Sequence, residues 1–200
     1  MRLTELEKAV CNLLDRYEIR QPDDIDLDAI AYEEEVYVYY MEAPTTSRIL
    51  QGMASVVVDQ RLSPDQQRVE LAHELGHLLR NHAGHQGRSH QMFRDLQEWQ
   101  ANNFALYLLC PTFMLVERME QGEQAIRLAR KFRVPERFMK QRLQLLETQH
   151  FAKLVDEQTT RRLEQNPKPG LDYSFVRTIG NTQFYCDSAG HVLFQRRHLD

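Results

Sequence analysis

"HELGHLLRNHAGH", residues 73–85, places four histidines in thirteen positions, and the first two bracket a glutamate at the spacing HExxH. It ends the stretch "SPDQQRVELAHELGHLLRN" (63–81), which reads as a helix over about 64–80. Ser63 suits the N-cap, Pro64 the first helical position, and Gln66 completes a capping box. On such a helix His73 and His77 project from one face at neighbouring turns. Two imidazoles so placed can bind one Zn2+, and Glu74, about 100° round the helix, can reach a metal-bound water without being a ligand. Zinc lowers the pKa of that water and polarises a scissile carbonyl, while the carboxylate takes the proton.

A catalytic zinc needs a third protein ligand and an open fourth position. The extended pattern HExxHxxGxxH is excluded, because Arg80 and Ala83 stand where it needs glycine and histidine. His82 lies past the expected helix end, so nothing in the spacing forces it onto the metal. The best third ligand is Glu98 in "QEWQANNFALYLLCP" (97–111), at the start of an apolar helix expected over about 90–110 and stopped by Pro111. Ala101 and Ala105 follow it at i+3 and i+7, while Ala72 and Gly76 border the His73/His77 face. Small residues on both surfaces let two helices approach closely. Asp95, His85 and His90 compete for the same role, and an acid near a helix start is favourable even without a metal.

Outside these two helices the chain mixes elements. Thr4 and Glu7 have capping-box spacing before an apolar stripe of Leu6, Val10, Leu13, Leu14 and Tyr17, which predicts a helix over about 4–19. "QPDDIDLDAIAYEEE" (21–35) reads as a turn and a short acidic helix. "VYVYYM" (36–41) and "MASVVVDQ" (53–60) read as strands, joined by "EAPTTSRILQG" as a connector. Strand 53–60 is expected at the sheet edge, where an extended substrate would pair. Residues 112–147 read as further helices. "DYSFVRTIGNTQFYCDSAGHVLFQRRHLD" (172–200) reads as three short strands, after a turn-rich boundary near 148–170.

The 200 residues are 42% hydrophobic and 27% charged, ordinary for a globular chain able to bury a core. A formal net charge of −4 gives no global pull toward nucleic acid or membrane. Cys11, Cys110 and Cys186 are far apart and odd in number, which fits a reducing compartment. "MRLTELEKAV" is charged throughout and reads as no signal peptide, and no apolar run approaches bilayer length. The expected location is the cytoplasm.

"ELAHELGHLLRNH" (70–82) followed by "EWQANNFALYLLCP" (98–111) closely resembles the ImmA/IrrE family of zinc metallopeptidases. That family pairs an aHElGHxxxxH helix with an ExxANxFAxxLLxP helix, and the resemblance covers about residues 25–145. It implies an α+β, mainly helical zincin-like fold with a small antiparallel sheet. It also implies His73, His77 and Glu98 as zinc ligands and Glu74 as the catalytic base. His82 matches a histidine often found there. Gln100 departs from members with a second acid, and Cys110 from members with methionine before the proline. Characterised members are cytoplasmic and cleave a helix-turn-helix repressor, which sets the expected substrate class. The transition-state oxyanion needs a donor besides zinc, and His82, His85, His90 and the tyrosines of "VYVYY" are the candidates.

"QAIRLARKFRVPERFMKQRLQLLE" (124–147) resembles a helix-turn-helix, with Ala125, Leu128, Ala129, Phe132, Val134, Phe138 and Leu143 as its small core. Residues 123–147 hold seven Lys/Arg against three Glu, and the turn has Arg133 where such motifs place glycine. The expectation is a structural or substrate-docking segment, with nucleic acid no direct ligand. The chain thus divides into a metallopeptidase core (1–120), a helix-turn-helix-like segment (121–150), and a C-terminal helix and β-meander (151–200). The alternative function is a DNA-binding or anti-repressor regulator with a non-catalytic zinc site.

Overall fold

The structure is a computed structural model that describes residues 3–80 and 91–149, and the backbone of three strands between 175 and 197. It divides into two compact units, Met1–His150 and Phe151–Asp200.

The first unit opens with α1 (Glu5–Arg16), whose Thr4 side chain accepts from the Glu7 amide. A 3-10 turn (Pro22–Asp24) and α2 (Leu27–Glu33), capped by Asp26, lead into β1 (Val36–Met41). Strands β2 (Thr46–Leu50) and β3 (Met53–Asp59) form a hairpin, and α3 (Pro64–Leu79) follows. Helices α4 (Gln91–Leu109), α5 (Thr112–Glu120), α6 (Ala125–Phe132) and α7 (136–149) complete the described part of this unit.

The fold is α+β and mainly helical, as expected, but its sheet is mixed rather than antiparallel. The order is β1-β3-β2, with β1 parallel and β2 antiparallel to β3. The stretch read as a connector supplies β2. Gln51 and Gly52 both take positive φ (52° and 82°), the backbone of a two-residue hairpin turn that fits strand twist. Inserting β2 reverses the chain between β1 and β3, so those two run in the same direction. It also moves β3 to the centre: both its edges are hydrogen-bonded, and it is not the edge strand where a substrate would pair.

Alternation along the strands buries Val36, Ser47, Val56 and Val58 on the helical side of the sheet. Tyr37, Tyr39 and Met41 lie exposed on the other. A single core joins this inner face to α1, α3 and α4, and it extends through Leu115 to Leu128 and Phe132 of α6 and Met139 of α7.

Beneath that core lies a buried polar knot. Arg142 of α7 is fully buried, with its Nε donating to the Cys110 carbonyl (2.9 Å) and its Nη2 to Thr112 Oγ1 (2.6 Å). The Thr112 hydroxyl donates to Glu7, whose carboxylate lies 3.7 Å from Arg142, and the guanidinium stacks 5.0 Å from the centre of the Tyr107 ring. The knot ties α1, the α4–α5 corner and α7 into one body.

In the second unit, β4 (Phe175–Ile179), β5 (Thr182–Cys186) and β6 (Val192–Arg197) form an antiparallel meander. The expected C-terminal helix lies outside the described residues.

Candidate metal centre

The capping expected from the sequence positions the first two site residues. Ser63 and Gln66 close a reciprocal box and Pro64 starts the helix, so α3 carries His73 and His77 on adjacent turns. Helix α4 packs across α3 at Gly76. A Cβ built there would lie 3.1 and 3.2 Å from Phe104 side-chain atoms and 3.2 Å from the Ala101 Cα. Ala72, Ala101 and Ala105 are buried around this crossing. The small residues thus let the helices approach closely enough for Glu98 to reach the histidines.

The resulting triangle is compact. His73 Nε2 and His77 Nε2 are 3.1 Å apart. Glu98 Oε2 is 3.4 Å from the first and Oε1 3.5 Å from the second. Donors bonded at about 2.0–2.1 Å to one tetrahedral ion stand roughly 3.3 Å apart, so these separations fit a single small cation. Among the described residues, His73, His77 and Glu98 are the group whose ligand atoms lie near enough together to hold a metal.

His77 is buried, and burial, then the charge of His73, hold its pKa below the ordinary 6.5, although Glu98 and Glu74 oppose the shift. The neutral imidazole, the form that ligates, is thereby favoured. Glu74 is half-buried beside His73. The side chain of Glu98 is 59% exposed, so the cluster opens to solvent on its side.

The other sequence candidates fall elsewhere. Asp95 is exposed and accepts from Gln91 Nε2 (2.7 Å) rather than joining the triangle. The Tyr40 hydroxyl contacts both Asp28 oxygens at 3.1 Å; burial first, then Asp28, push its pKa up to about 12. His82, His85 and His90 lie outside the described residues.

One feature escaped the sequence reading. Met92, Leu96 and Trp99 are exposed on the first half of α4, a stripe at i, i+4 and i+7 running up to Glu98. The spacing was visible in the sequence, but it looks the same as a stripe that faces a core.

Gly76→Ala tests the close approach. Alanine favours a helix over glycine by about 1 kcal/mol, but the Ala101 backbone cannot rotate away from the added methyl, so overpacking of about 1–3 kcal/mol wins. The expected result is a lower denaturation midpoint and weaker metal affinity, both absent from a control Ala substitution on the exposed face of α4.

Comparison with known proteins gives the chain's family. The peptidase M78 family, described as the IrrE N-terminal-like domain, matches residues 33–144. The phage-like element PBSX protein XkdA of Bacillus subtilis is 36% identical over 72% of this chain and 74% of its own length. The uncharacterized protein YqaB of the same organism is 31% identical over 58% of this chain and 67% of its own. A solved transcriptional regulator from Mycobacterium tuberculosis superposes with a TM-score of 0.58 at 20% identity, covering 70% of this chain. The chain spans 56% of that regulator, and the likeness is one of fold. This chain belongs to the peptidase M78 family, a family of metallopeptidases.

Proposed function

We propose that this protein is a zinc-dependent, site-specific endopeptidase of the cytoplasm whose substrate is a helix-turn-helix transcriptional repressor. The observation that carries the peptidase reading is the His73–His77–Glu98 triangle, sized for one tetrahedral ion, with Glu74 beside it on the same helix. The substrate class rests on the family resemblance, and the phage-element relative is in keeping with it.

In this reading His73, His77 and Glu98 hold the ion, and exposure beside Glu98 leaves room for water and a peptide. The bound zinc supplies Lewis acidity and a water that ionises near neutral pH. Glu74, beside the triangle on the same helix, would act as the general base toward a water attacking the scissile carbonyl carbon. The same carboxyl would return the proton to the amine nitrogen as the C–N bond breaks. Among the described residues no helix is long and apolar enough to cross a membrane.

The test is intact-mass analysis of zinc-loaded protein incubated with a purified helix-turn-helix repressor, chosen from the reading frames that neighbour its gene. One or two discrete fragments are expected with wild type and none with Glu74→Gln. An uncut repressor under metal-replete conditions overturns the assignment. Release of that repressor from DNA without cutting would instead establish the anti-repressor alternative.

A further inference from the structure

The turn between α6 and α7 holds Arg133 in the left-handed region (φ 53°, ψ 53°), where residues bearing a Cβ are disfavoured. The residue is exposed, as are Arg127 and Arg130 on α6 and Arg137 in the first turn of α7. Among the described residues none of these four arginines forms an ion pair. The nearby carboxylates serve other cations: Glu123 holds Lys131 (2.6 Å) and Arg118 (3.9 Å), and Glu136 holds Lys140 (2.6 Å).

Arg68 of α3 adds a fifth guanidinium. Its Nε and Nη2 are shielded from solvent and have no hydrogen-bond partner among the described residues. Burial first, then the positive charge of Arg133, disfavour its charged form, and the weaker pull of Asp26 and Asp65 does not reverse this, so the two cations feel each other. An all-arginine set suits carboxylates, which accept two parallel hydrogen bonds from one guanidinium.

The surroundings limit what the patch can accept. The Pro22–Asp24 turn packs against α6, and Asp23, Asp24, Asp26 and Asp28 on and after it are exposed. This acidic border repels a long polyanion such as duplex DNA and favours a short segment.

We propose that the α6–α7 face carrying Arg130, Arg133 and Arg137 docks a short acidic peptide segment. That the segment belongs to the protein substrate rests on the peptidase reading. Recognition at this face is a step separate from hydrolysis, so the two are separable by experiment.

The test measures anisotropy of labelled oligoglutamate, and of duplex DNA of matched charge, with zinc-loaded full-length protein at physiological salt. Wild type should bind oligoglutamate more tightly than DNA. The triple variant Arg130→Glu, Arg133→Glu, Arg137→Glu should weaken that binding by about tenfold or more. A control triple with the same charge change, Lys8→Glu, Arg20→Glu, Arg48→Glu, should weaken it by less than about threefold, the part due to net charge. The corresponding Arg→Gln triple keeps the test valid if the Glu triple unfolds, and it should also weaken binding more than the control. Binding should survive both chelation and Glu74→Gln, so absence of hydrolysis bears on the peptidase reading alone. The docking proposal is overturned if oligoglutamate does not bind, if both Glu triples weaken it equally, or if DNA binds more tightly.

Discussion

Glu74→Gln is expected to keep a full complement of zinc and lose hydrolysis, while Glu98→Gln is expected to lose the metal itself. Glu74 lies outside the three-donor triangle, so its amide removes a proton acceptor and no bond to the ion. General-base catalysis contributes about 10²–10⁴-fold, which sets the expected fall in rate. Glu98 is the one carboxylate in the triangle, 3.4 and 3.5 Å from the two imidazole nitrogens. Its removal leaves two protein ligands, too few to hold a catalytic zinc well. His73→Ala and His77→Ala should behave as Glu98→Gln does. Metal analysis after gel filtration, paired with peptide hydrolysis, separates the two classes. Metal loss in Glu74→Gln with retention in Glu98→Gln would exchange the roles.

Arg142→Ala is expected to destabilise the first unit by about 3–5 kcal/mol, because it leaves the Glu7 carboxylate buried without its cation. Both side chains are almost wholly removed from water, so solvent screening discounts little of this. The loss should appear as a lower urea midpoint. The double replacement Glu7→Leu, Arg142→Met removes both charges and should recover most of the stability, since an apolar pair of similar volume carries no desolvation cost. If the double variant is as unstable as Arg142→Ala, the hydrogen bonds to Cys110 and Thr112 carry the stability instead of the ion pair.

The legible parts of this fold were those set by local chemistry. The Ser63–Gln66 box, the stop at Pro111 and the HExxH spacing gave α3 and α4 nearly to the residue. The small residues at 72, 76, 101 and 105 anticipated the crossing that brings Glu98 to the histidines. Helix α6 and the turn at Arg133 also followed from the sequence. What escaped depended on distant partners. Residues 46–50 read as a connector because Gln51-Gly52 is a weak turn signal and three of the strand's five residues are polar. With β2 unseen, β3 was placed at an edge. Nor does anything near Glu7 or Arg142 announce burial. Both fit the polar side of an amphipathic helix, and the contact that buries them spans most of the first unit.

The corner that receives Arg142 also contains a built-in clock. The Cys110 thiol is completely buried, and burial pushes its pKa up to about 12. Alkylating reagents attack the thiolate, so this sulfur stays silent while α4, α5 and α7 remain closed. Its modification, followed by peptide mass, therefore counts opening events of the corner. Cys11, only partly covered, provides the fast reference in the same sample. When reclosing outruns labelling, the rate reports how often the corner stands open; at saturating reagent it reports how quickly it opens.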